Sequence, residues 1–200
     1  MNNSKSFDTR KLVLLALLTA IVVVLQFLGA FIRFGTFSIS LVLMPIAVGA
    51  ALCGIRAGGW LGLVFGFIVL LSGDASPFMA VDPLGAILLV LIKGTLAGLA
   101  AGSVYRLLAK ISRTLAATLA AVVCPIVNTG IFLIGCYVFF WPTLTEWAGG
   151  TDYASTAAFI FLGMIGANFL LELGINLVLS PTIVRLIQYG QDKSELAIAA

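Results

Sequence analysis

The chain has 200 residues, 62% of them hydrophobic and only 10% charged, with a net charge of +3 and a mean hydropathy of +1.19. Soluble domains carry roughly 25% charged residues, so this composition excludes a water-soluble globule and describes an all-α chain that lives in a lipid bilayer. The length gives room for about six crossings in one membrane domain over residues 1–200, and none for a separate soluble catalytic module. So small a net charge carries no nucleic-acid signal; what counts is how the charges are shared among the loops. Histidine is absent, which removes the commonest metal ligand and the commonest general base. Cys53, Cys124 and Cys136 fall in apolar runs without paired spacing and read as small packing residues.

Residues 1–9 are polar, and Arg10-Lys11 then stops at a membrane face. A first span follows over residues 12–29; it has no small-residue cleavage site and further spans come after it, so it is not read as a signal peptide. Ala16 and Ala20 lie one turn apart on this span, a spacing that by itself indicates ordinary helix packing. The connection Ala30–Ile39 is aromatic, and Phe31, Phe34 and Phe37 are placed to anchor at the interface or to cover a cavity. A short second span occupies residues 40–53 and contains Pro45; the third runs over 59–72. Gly58, Gly62 and Gly66 recur every four residues there, forming a ridge along which another helix can approach closely.

The loop from Ser72 to Asp82 is polar and is broken by Gly73 and Pro77, with Asp74 and Asp82 bracketing it. The fourth span, residues 83–107, carries Lys93 roughly 15 Å inside its apolar run. A charge at that depth costs at least ~2.5–3.5 kcal/mol, so it must face a protein interior or a wet cavity. Gly94, Gly98 and Gly102 make a second ridge on the same helix. The fifth span, 115–140, holds Pro125 and Asn128 and ends in an aromatic belt from Tyr137 to Trp141, with Pro142 as a stop. A loop over 143–153 leads to the sixth span, 154–187, and then to a short polar tail from Gln188.

Lys5, Arg10, Lys11, Arg56, Arg106, Lys110, Arg113, Arg185 and Lys193 all fall on one side of this arrangement. Arg33 falls on the other, with Asp74, Asp82, Glu146 and Asp152. The positive-inside rule therefore predicts six transmembrane helices with both termini in the cytoplasm.

The residues that could carry chemistry gather at mid-depth. Asn168, Glu172 and Asn176 recur every four residues and so share one face of the sixth span, while Lys93 and Asn128 lie at comparable depth on the fourth and fifth. Two readings stand side by side. In one, Lys93 and Glu172 neutralise each other and hold three helices in register; in the other, the charges and amides bind a polar solute. The readings are compatible. Other activities find little support: there is no Gly-x-x-x-x-Gly-Lys-Ser/Thr phosphate loop, no His-Glu-x-x-His, no nucleophile elbow and no filter-like motif of a channel.

In order and spacing, these features resemble the substrate-binding S components of energy-coupling-factor (ECF) vitamin transporters. The resemblance is carried by six short spans, Ala16-x-x-x-Ala20, and the run Leu52-Cys-Gly-Ile-Arg-Ala-Gly58 followed by Gly62 and Gly66. Lys93-Gly-Thr-Leu-Ala-Gly98 with Gly102 and Tyr105 completes it, so that it covers nearly the whole chain. It implies a bacterial plasma-membrane subunit, not an enzyme, that captures a micronutrient outside the cell. The subunit would join a transmembrane coupling subunit and two cytoplasmic ATPases, bind no cofactor itself, and leave ATP to those partners. It further implies that Ala16 and Ala20 meet the coupling subunit. Substrate would be bound by Phe34, Phe37 and Asp74 from the external loops together with the faces bearing Asn128 and Asn168, to which Lys93 and Glu172 are added here. The pattern is most similar to pantothenate-type members, with riboflavin next. A stand-alone ion-coupled secondary transporter, with Lys93 and Glu172 as a proton-coupled pair, is the alternative.

Overall fold

The computed structural model describes residues 9–31, 33–34, 37–38 and 41–199, without the side chains of Arg10, residues 31–40, Ala167 and those from 186 onward. Among the described residues, the chain is mainly helical with one two-residue antiparallel ladder, and five helices are long and apolar enough to cross a membrane. These are α1 (Thr9–Phe31), α3 (Ile55–Ser72), α5 (Pro83–Leu108), α6 (Arg113–Phe139) and a last one over Thr156–Arg185. The last is built from a short α8 (Thr156–Ala158), a π-helical stretch Phe159–Gly166 and α9 (Ala167–Ala199). The expected polar tail after Gln188 is therefore a continuation of α9.

The expected second span, residues 40–53, is helical over only part of its length. Between α1 and α3 the chain forms strands β1 (Arg33–Phe34) and β2 (Phe37–Ser38) and then an 11-residue α2, Leu43–Cys53. At 1.5 Å per residue, α2 covers only about half of a bilayer core. Its sequence is apolar all round, and Leu43 and Pro45–Ala50 are all buried. A helix with no polar face belongs in the middle of a bundle, and α2 touches each of α1, α3, α5, α6 and α9. It ends near the start of α1, where the Cys53 thiol lies 3.8 Å from the Lys11 carbonyl oxygen. Gly54, at φ 99°, then lets the chain turn directly into α3.

The two glycine ridges meet each other. A methyl group added to Gly58 would strike the Gly98 carbonyl, one on Gly62 the Gly94 carbonyl, and one on Gly66 would come within 2.8 Å of the Val90 carbonyl oxygen. Helices α3 and α5 thus run antiparallel with their backbones in direct contact, continuing to Ile55 against Gly102.

This pairing fixes the two ends of the molecule. Ile55 beside Gly102, and Arg185 donating to the Thr114 hydroxyl from Nε at 3.0 Å and Nη2 at 2.8 Å, gather Lys11, Arg56, Arg106, Lys110, Arg113 and Arg185 at one end. Asp74, Asp82, Glu146 and Asp152 lie at the other, on the short segments joining α3 to α5 and α6 to the last helix. There Gly73, at φ 81°, ends α3, and Asp82 caps α5 by accepting from the Gly85 amide at 3.1 Å.

The expected loop over 143–153 is largely a helix, α7 (Trp141–Gly149). Pro142 sits in its first turn, where a missing N–H does no harm, so the proline opens a helix rather than closing one. The expected aromatic belt splits as well: Tyr137 and Trp141 face outward, whereas Phe140 is fully buried.

Candidate functional site

Five elements enclose one cavity in the half of the molecule nearer the acidic end. Its volume is about 140 Å³, space for roughly five waters or a small organic molecule. Gln26 of α1 and Val69 of α3 form one wall, Leu89, Val90 and Lys93 of α5 another, and Asn128, Thr129 and Phe132 of α6 a third. The last helix closes the ring with Met164, Ile165, Asn168, Phe169 and Glu172. Asp74, Pro77 and Phe78 line it from the connection between α3 and α5.

The local sequence explains these positions. The short helix α4 (Ser76–Met79) holds Phe78 inward, where its ring meets Phe132, Phe140 and Trp147 edge-on or tilted at centroid distances of 5.6, 4.9 and 5.8 Å. Helix α7 supplies Trp147, so this unexpected helix secures one side of the cavity. On the last helix, the π-helical stretch brings Met164 and Ile165 onto the wall one turn before Asn168. Such stretches are frequent at functional sites.

Lys93 is half-buried, with its ammonium 5.0 Å from the centre of the Phe132 ring and 5.9 Å from that of Phe65. The ring faces supply part of the stabilisation that water would otherwise give. Glu172, 4% exposed, accepts from Asn168 Nδ2 at 3.2 Å, and its backbone carbonyl accepts from Asn176 Nδ2 at 2.9 Å. Ser180 extends this seam toward the basic end, its hydroxyl 3.4 Å from Asn176 Oδ1. Near Asp74, Gln26 Nε2 donates to the carboxylate at 2.6 Å and lies 3.4 Å from the Ser72 hydroxyl. Among the described residues, two buried oxygens, Asn128 Oδ1 and Asn168 Oδ1, have no hydrogen-bond partner. Buried acceptors of this kind are rare in protein interiors, and each is open to a donor from a water or a ligand.

Of the residues singled out from the sequence, Asp74, Lys93, Asn128, Asn168 and Glu172 line this one cavity. Ala16 and Ala20 lie away from it, exposed on α1. Phe34 and Phe37 face each other across the β1–β2 ladder, and their side chains lie outside the described residues. Gln26 and Ser180 were not anticipated. Gln26 is the only amide in the apolar run 12–29, and Ser180 continues the four-residue spacing of Asn168, Glu172 and Asn176. The cysteines are free, with Cys124 and Cys136 buried.

A bundle of helices long and apolar enough to cross a membrane, around a partly open and largely apolar chamber with a few charged and amide side chains, has the form of a membrane protein with a small-solute cavity. Residues 10–184 match the ECF transporter substrate-specific components, and the chain belongs to that family. No curated protein matches it. It is accordingly a multi-pass membrane protein and the substrate-binding subunit of a transporter.

Proposed function

We propose that this chain, as one membrane domain, captures a vitamin-like micronutrient outside a bacterial cell and hands it to an energising module. That module consists of a transmembrane coupling subunit and two cytoplasmic ATPases; the chain itself binds no cofactor and uses no ATP. Pantothenate is the first candidate substrate and riboflavin the second. The observation that carries this reading is the cavity of about 140 Å³ holding Lys93, Glu172 and the unpartnered amide oxygens of Asn128 and Asn168. Aromatic walls with a few convergent polar groups are the usual make-up of a small-molecule site. By the positive-inside rule the basic end is cytoplasmic, so the cavity lies in the outer half, on the side from which a scarce nutrient arrives. Asp74, Lys93, Asn128, Asn168 and Glu172 are the proposed substrate contacts, joined by Phe34 and Phe37 from the first external connection.

The exposed small side chains of Ala16 and Ala20 suit close approach by a partner helix, and we assign that face of α1 to the coupling subunit. The test is a panel of vitamins against the purified chain, read by thermal stabilisation without ATP. Pantothenate or riboflavin is expected to raise the unfolding midpoint, and uptake into liposomes is expected only with the partner subunits and ATP. The double replacement Ala16→Leu, Ala20→Leu is expected to abolish uptake and leave that stabilisation intact. Concentrative uptake by the chain alone, driven by an ion gradient, would instead establish the secondary transporter, for which the shared chamber of Lys93 and Glu172 provides a proton-coupled pair.

A further inference from the structure

The cavity has a polarity that its composition alone does not reveal. A primary amide offers a donor at one end and an acceptor at the other, and ordinarily either end can face a ligand. Asn168 has lost that freedom. Its Nδ2 donates to Glu172 Oε1 at 3.2 Å, so the amide cannot turn over without setting its oxygen against a carboxylate oxygen. Its Oδ1 is left as an acceptor with no donor. Asn128, 7% exposed on the facing wall, presents a second such oxygen, and no hydrogen bond from its side chain is found among the described residues. The nearby donor on the protein side, the Lys93 ammonium, is held over the Phe132 and Phe65 rings.

Resting on the reading of this cavity as the substrate site, we propose that Glu172 sets ligand preference by fixing the Asn168 amide as an acceptor. The site then takes molecules that bring an N–H or O–H donor to Asn168, while Asn128, whose amide nothing fixes, can turn either end to the ligand. Besides lining the cavity as a proposed substrate contact, Glu172 is a positioning residue in this account: it acts through Asn168. Molecules of similar shape that offer only acceptors at that place are rejected, because a buried acceptor facing another acceptor has lost its water and gained nothing.

The test uses the full chain in detergent with two matched probe pairs: pantothenate and riboflavin, each with an analogue methylated at an N–H group. Dissociation constants are measured for the wild type, Glu172→Gln and Asn168→Ala. In the wild type the parent compound is expected to bind about tenfold or more tightly than its methylated partner. In Glu172→Gln the gap is expected to shrink below about threefold, because the Asn168 amide can then turn either end to the ligand. Glutamine keeps the volume of glutamate, so a purely steric penalty from the methyl group would persist in that variant. Equal binding of both partners by the wild type, or an undiminished gap in Glu172→Gln, would overturn the proposal.

A second readout needs no ligand. With asparagine labelled with ¹⁵N, the Asn168 side-chain amide hydrogens should exchange slowly in the wild type and, relative to those of Asn176, which the Glu172 backbone carbonyl holds in both proteins, at least tenfold faster in Glu172→Gln. Equal exchange in the two proteins also overturns the fixed orientation. If neither parent compound binds but the exchange difference is found, the substrate assignment fails and the oriented amide stands.

Discussion

At the scale of single residues, the molecule is governed by how two opposite charges live inside an apolar chain. Lys93 and Glu172 line one chamber, the first against two phenylalanine rings and the second with an asparagine donor. Replacing either alone, as Lys93→Met or Glu172→Gln, removes half of a buried charge balance and is expected to destabilise by about 3–5 kcal/mol. The double replacement should recover most of that stability, as read from unfolding midpoints in detergent. It should still bind a carboxylated probe such as pantothenate about ten- to a hundredfold more weakly, the worth of one charge-assisted hydrogen bond of roughly 1.5–3 kcal/mol. Normal affinity in the double variant would remove Lys93 from the binding site. The sequence exposes this layer well, because a lysine ten residues into an apolar run has few possible surroundings. Gln26 escaped notice for a reason that can be named: an amide costs less in the membrane than a charge, so it stands out less. The four-residue rule that finds Asn168, Glu172 and Asn176 extends to Ser180 when carried one turn further.

At the scale of elements, the seam between α3 and α5 is the feature most directly legible in the sequence. Two glycine ridges at helical spacing on consecutive spans call for close antiparallel packing, and the backbone carbonyls of Gly58, Gly62, Gly94 and Gly98 stand where side chains would otherwise be. Gly62→Val or Gly98→Val must push backbone against backbone, which cannot yield as a flexible side chain does. A loss of at least about 3 kcal/mol is expected, seen as a lowered midpoint in a thermal scan. Gly130 and Gly174 have open space around them, so Gly130→Ala and Gly174→Ala should be neutral or stabilising by up to ~1 kcal/mol in the same scan. Other elements were hidden. Pro142 reads equally as the end of one helix or the first turn of the next, and only the burial of Leu144 and Ala148 on the inner face of α7 decides between them. The π-helical stretch Phe159–Gly166 has no residue signature, since its wider hydrogen-bond register comes from packing and not from side-chain preference. Hydrophobicity marks both a lipid-facing helix and a protein-buried one, so the apolar run 40–53 does not by itself reveal that its helix, α2, is only 11 residues long and buried.

At the scale of the whole molecule, charge distribution and packing agree on two distinct ends. A topology with the basic end in the cytoplasm is tested by single cysteines in a background lacking Cys53, Cys124 and Cys136. Ser76→Cys and Gly149→Cys, both exposed at the acidic end, should react with an impermeant maleimide in intact cells. Lys110→Cys should react only after permeabilisation, and labelling of that position in intact cells would invert the assignment.

The half-length α2 has a consequence for how the chain is made. Eleven residues are too few to settle across a bilayer by their own hydrophobicity, so α2 is a poor candidate for entering the membrane as an independent unit when it emerges. Its surroundings include α9, which is synthesised more than a hundred residues later. Until that helix is released, a strip of α2 lacks its lasting neighbour and must be covered by lipid, water or a helper protein. Completion of the interior around α2 therefore waits on α9, however early the first helices are threaded.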